Sequence, residues 1–278
     1  MNGGIVVQLA VDSAAAAALY ALVALAVSLA FSGSGTVHLA IGQVALAGGL
    51  ASAAAIAAGW PLWLSIIVGL AIGAALSAAA ERGLVAPASG RPMLAAVLLL
   101  GGAVVLREVL VGLFPRPAYS FPSASKIIAV GGGVVHVSDL LTIGVVLATA
   151  AGGAFVMRAT TIGAALRVTA DAPDAAERIG VDTRRMRAIA FAFGGVLATA
   201  ATLLGAARFP LAAGGGVALA LRGIAAAAGG GMRFPARIVG AACVIGLAEV
   251  VGAYYLGGGG EAIADGVAVA LIVLGWRR

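Results

Sequence analysis

Long apolar runs, separated by short connections, limit what this chain can become more than any other feature of it. Nine of them can be read off in order: 6–31, 37–57, 64–80, 93–113, 140–157, 188–207, 217–230, 238–256 and 263–276. A helix needs about 17–25 mostly apolar residues to cross the hydrocarbon core of a bilayer, and most of these runs meet that length. Two are weaker: 37–57 is broken by glycines and 217–230 is short. Between the second and third runs, Trp60-Pro61-Leu62-Trp63 reads as a turn anchored by aromatic rings at the membrane surface.

Composition leaves few alternatives. The 278 residues are 62% hydrophobic and 10% charged, with a mean hydropathy of +1.12, whereas soluble chains average about 25% charged. Lipid must therefore replace water around most of the chain, and every backbone polar group there must be satisfied inside a helix. The expected fold is an all-α integral membrane protein, a polytopic bundle of about 8–10 transmembrane helices, some short or broken. It forms one domain over residues 1–278. Gly69 and Gly73 make one of the small-residue pairs that let such helices approach closely, a packing feature and not a specific signature.

Net charge of +6 and a pI near 10.4 do not point to nucleic acid, because the basic residues border the apolar runs as the positive-inside bias requires. That bias places the connection 158–187 in the cytoplasm, with 81–92, 233–237 and the C-terminus on the same side. Connections 115–137, 208–216 and 257–260 then fall outside. The N-terminus lies outside if 37–57 crosses and inside if it is re-entrant. The single Cys243 excludes an intramolecular disulfide. The first eleven residues carry no basic side chain, so no cleavable signal peptide is expected.

The connection 158–187, RATTIGAALRVTADAPDAAERIGVDTRRMR, holds six of the 17 basic residues and four of the 11 acidic ones. Residues 162–169 suit a short amphipathic helix with Ile162, Ala165, Leu166 and Thr169 on one side. Asp171 then caps a second helix whose first turn takes Pro173, with Asp174 and Glu177 near its positive end. Gly180 reads as a left-handed stop, and Asp182 caps the helix that enters the next span. Such short helices are marginal alone, which favours a partner that buries them over a merely solvated connection.

Inside the spans, Arg222 and Glu249 each cost about 2.5–3.5 kcal/mol unless paired or hydrated. They either face a translocation path, bound to each other or to a zwitterionic solute, or form an interhelical pair that orders the bundle. Ser32, Ser34, Thr36, His38 and Gln43 supply the polar content of the broken early segment, where interrupted helices can offer groups to a solute. His38 is expected to find a neighbouring partner rather than a metal, since no Cys/His/Asp cluster accompanies it. No catalytic constellation stands out, and no G-x-x-x-x-G-K-[ST] loop is present.

The stretch 161–190, from IGAALR through GVDTRRMR, resembles the coupling loop of the branched-chain amino-acid type permeases of bacterial ABC importers. The likeness extends to 19–51 (LYALVALAVSLAFSGSGTVHLAIGQVALAGGLA), 81–113 and 188–249. It implies a multi-pass subunit of the bacterial inner membrane, paired with a second, often different, homologous permease subunit. Cytosolic ABC ATPases would use the ATP, leaving no cofactor on this chain, and an external substrate-binding protein would deliver the solute. The ATPases would dock on Gly163, Arg167, Asp171, Asp174, Glu177, Gly180 and Arg184. Ser34, His38, Gln43, Arg222 and Glu249 are the candidate path. The chain departs from the family pattern at Ile41-Gly42-Gln43, where His-Gly-Glu is common, and at Gly229-Gly230-Gly231, where Gly-Gly-x-Gly is. That family carries branched-chain and other amino acids, amides and urea. A stand-alone secondary transporter or channel would explain the buried charges equally well, but not a capped docking segment.

Overall fold

The computed structural model describes residues 3–122, 127–130, 133–206, 210–232, 234–257 and 260–276. Each of the nine apolar runs is a helix: α1 Gly3–Ser34, α2 Ile41–Ala57, α3 Leu62–Ala80, α4 Pro92–Leu113, α5 Val137–Ala159, α8 Thr183–Gly205, α9 Gly216–Gly229, α10 Pro235–Leu256 and α11 Gly260–Trp276. Two shorter helices, α6 Thr161–Asp171 and α7 Pro173–Arg178, form the connection between α5 and α8. Among the described residues, six helical stretches are long and apolar enough to cross a membrane, while α2 and α9 are shorter apolar helices. The protein is thus an all-α, multi-pass membrane protein.

Contacts fix the direction of each helix. Gly33, at the end of α1, packs so tightly on the start of α8 that an added Cβ would lie 2.9 Å from the Ala190 Cβ. Glu81, at the end of α3, meets Arg187 in the first turns of α8 through an Nε–Oε1 contact of 3.2 Å. The ends of α1 and α3 and the start of α8 therefore share one side, the side of α6 and α7. Since α2 leaves the end of α1 and delivers the chain to the start of α3, it runs to the opposite side, where the start of α1 also lies. Ser28 donates to the Met232 carbonyl at 2.5 Å, bringing the α9–α10 turn to the basic side. An added Cβ on Gly275 would lie 2.3 Å from the Ala228 carbonyl oxygen, so α11 ends there too.

On the opposite side a feature appears that the sequence does not announce. The strands β1 Ile127–Val130 and β2 Gly133–His136 pair as an antiparallel hairpin, and the Val134 N–H donates to the Gln8 side chain at 2.8 Å. The connection that follows α4 is tied down at Tyr119, which exchanges backbone hydrogen bonds with Leu211 at 2.8 and 3.0 Å.

α1 is the centre of the bundle. Its 32 residues span about 48 Å at 1.5 Å per residue, and Ala15 through Val27 are buried without a break against α8, α9 and α10. With Ala and Gly at these contacts, backbones approach closely and dispersion can hold helices together where lipid offers no hydrophobic contrast.

Candidate translocation site

Two cavities lie at opposite ends of the segment that joins α1 to α2. The outer one, about 230 Å3, is lined by Leu19, Tyr20, Gly42, Leu46, Leu211, Leu219, Arg222, Glu249 and Glu261 among others. The inner one, about 290 Å3, is lined by residues that include Gly33, Ser34, Gly35, Thr36, Ser89, Gly90, Thr169 and Arg187.

Arg222 is the charged centre of the outer cavity. It sits in the middle of α9 and is 6% exposed. Its Nη1 donates to Glu249 Oε1 at 2.5 Å and to the Tyr20 hydroxyl at 2.8 Å, and its Nε donates to Asp265 Oδ1 at 3.0 Å. The Tyr20 hydroxyl in turn donates to Glu249 Oε2, and the Tyr20 ring lies 5.6 Å from the guanidinium carbon. Four helices, α1, α9, α10 and α11, each contribute one side chain. A guanidinium with fixed donors suits this multidentate role, and closing the hydrogen bonds removes most of the cost of burying the charges. The pairing of Arg222 with Glu249, one of the alternatives the sequence leaves open, is present. Tyr20 and Asp265 were not foreseen, because they lie 202 and 43 residues from Arg222 and nothing local marks them.

The rim of this cavity depends on a backbone approach. A Cβ on Gly42 would fall 2.0 Å from the Gly216 carbonyl oxygen, so α2 and the start of α9 touch where neither has a side chain. Gln43 follows directly, 4% exposed, with neither amide atom hydrogen-bonded.

Between the cavities, His38 is fully buried, hydrogen-bonded through Nε2 to Ser77 Oγ at 2.9 Å and packed on the Phe191 ring at 4.7 Å. It found a neighbour, as expected. Among the described residues, no group of three or more His, Cys, Asp or Glu is placed to hold a metal. Ser34 ends α1 at the inner cavity, accepting from the Thr36 N–H at 3.1 Å and donating to the Ala30 carbonyl at 3.0 Å. Ser34 thus lines the inner cavity, while Gln43 follows Gly42, which lines the outer one, and packs at Gly216; neither they nor His38 hydrogen-bond to the Arg222 cluster.

The basic connection folds largely as its sequence suggests. Thr160 caps α6 by accepting from the Gly163 N–H at 3.1 Å. Gly180 adopts φ +84°, a region open to glycine at little cost. Asp182 caps α8 by accepting from the Arg185 N–H at 2.9 Å. One expectation is corrected: α6 runs through Asp171, and Ala172, not Asp171, is the N-cap of α7. The helix continues through the polar residues that were expected to end it. The side chains of Asp171 and Asp174 lie outside the described residues. Arg167, Glu177 and Arg184 are exposed, and Glu177 accepts from the Thr183 hydroxyl at 2.7 Å, joining α7 to α8.

Sequence reasoning took Glu81 for a charge in a connection. It is instead wholly buried, at the head of a π-helical turn, Glu81–Val85, that continues α3. Such turns recur at functional sites.

A family profile described as the branched-chain amino acid transport system permease component matches residues 9–275. Among solved structures, "PsaBC from Streptococcus pneumoniae in complex with Fab" contains a similar chain, with a TM-score of 0.54 over 95% of this chain and 90% of that one. The two are 15% identical, so the likeness is one of fold. No curated protein matches the sequence.

Proposed function

The chain belongs to the branched-chain amino acid transport permease family, and from that premise we propose that it is the membrane subunit of an ATP-driven ABC importer in a bacterial inner membrane. It carries amino acids or related small polar solutes, pairs with a second homologous permease subunit, and receives solute from an external binding protein. Hydrolysis of ATP belongs to cytosolic ATPase subunits that dock on α6 and α7.

The observation that carries this reading is the α6–α7 segment. It is flanked by the caps Thr160 and Asp182, and it exposes Ile162, Arg167 and Ile179, as the first turn of α8 exposes Arg184. Two short helices with charged and apolar groups outward gain little on their own and suit burial under a soluble partner. Movement imposed there reaches the bundle through α8, whose Arg187 grips Glu81 and whose Phe191 packs on His38. Because packed helices rearrange between discrete states, a small push becomes a change of access, opening the inner or the outer cavity in turn. The chain's own groups orient and exclude; it performs no chemistry.

Replacing Arg167 or Asp174 by Ala is expected to abolish ATP-dependent uptake into cells or proteoliposomes while leaving the thermal unfolding of the purified chain unchanged. Unaltered uptake by both variants would contradict the docking role and favour a stand-alone transporter or channel.

A further inference from the structure

Taking the outer cavity as part of the path, we propose that the solute it admits carries a net positive charge: an aliphatic ammonium or amidinium group on a short apolar body. Arg222 does not make the cavity positive, because Glu249 and Asp265 both bind its guanidinium. Two carboxylates on one guanidinium leave a negative excess. Glu261, in the first turn of α11, lines the same cavity and adds a second negative charge. Among the described residues Glu261 has no ion-pair partner, and Arg222 is the only cationic side chain among those lining the cavity. Fields add within a low-dielectric cleft, so a space lined by an excess of one sign concentrates solutes of the other. The remaining wall is apolar, with Leu19, Leu46, Leu211 and Leu219, and accepts a short aliphatic body.

A carboxylate entering here meets Glu249 and Glu261, with no free counter-charge among the described residues that line the cavity. A zwitterion gains at one end what it loses at the other. A monovalent cation neutralises the excess and donates to carboxylate oxygens, the strong form of hydrogen bond.

Three probes share one branched body and differ in charge: isoamylamine as the cation, leucine as the zwitterion and 4-methylpentanoate as the anion. Their binding to the full chain in nanodiscs, measured calorimetrically at neutral pH, needs no ATPase partner, so it fails or succeeds independently of the importer reading. Isoamylamine is expected to bind at least about tenfold more tightly than leucine, the worth of one charge-assisted hydrogen bond in a partly buried site, and 4-methylpentanoate not at all. Glu261→Gln, at an exposed helix end where the fold is not at risk, is expected to erase most of that preference. Leucine binding as tightly as the amine, a preference untouched by Glu261→Gln, or no binding by any probe would each overturn the proposal.

Discussion

Arg222 is held within the bundle by oxygen atoms from three other helices, and of the two carboxylates among them the buried Glu249 depends on it more than the half-exposed Asp265. Removing one partner from a buried pair leaves the other uncompensated, at a cost of about 3–5 kcal/mol. Arg222→Ala is therefore expected to lower the unfolding temperature of the purified chain sharply, and combining Arg222→Met with Glu249→Leu to restore much of it. An unchanged transition in Arg222→Ala would mean that the cluster contributes nothing to order. Gln43 makes the opposite case. Its buried amide has no partner, and an unmet polar group costs about 1–3 kcal/mol. Gln43→Leu should leave stability equal or higher yet reduce uptake if the amide serves a passing solute; reduced stability would show that it serves the fold.

At the scale of elements, the contact between α2 and α9 is the most exacting. The Cβ of Gly42→Ala would strike the Gly216 carbonyl, and relieving it means moving a helix backbone. Overpacking of this kind costs about 1–3 kcal/mol, and it should also deform the outer cavity that Gly42 lines, so both stability and uptake should fall. Retention of both would contradict the close approach. The spans themselves were legible, because bilayer thickness imprints run length directly on composition. The ends of α7 and α8 were legible from Gly180 and Asp182, whose geometries are local. What escaped was non-local or compensated. Asp171 has the chemistry of a cap, but α6 extends through it. Glu81 looks like a surface charge until Arg187, 106 residues away, is brought beside it. The hairpin of β1 and β2 gains support from Gln8 at the far end of the sequence. Tyr20 carries no hint in its apolar surroundings that it completes the Arg222 cluster.

For the whole molecule, the helix directions set by Gly33, Glu81 and Met232 put the start of α1 opposite the α6–α7 segment and the end of α11 on the same side as it. In a Cys243→Ser background, cysteines introduced as Trp60→Cys and Arg178→Cys should label with a membrane-impermeant maleimide from opposite faces; labelling from one face would invert the path of α2 or α3. The central claim is that the segment between α5 and α8 faces the cytosol and that an ATPase occupies it. The most direct measurement is affinity purification of the chain in mild detergent from its native host, with mass spectrometry of what accompanies it. Recovery of a P-loop ATPase, lost when residues 163–180 are scrambled, is the expected result. Recovery of the chain alone, still moving solute in liposomes without ATP, would contradict it and leave a self-sufficient carrier or channel.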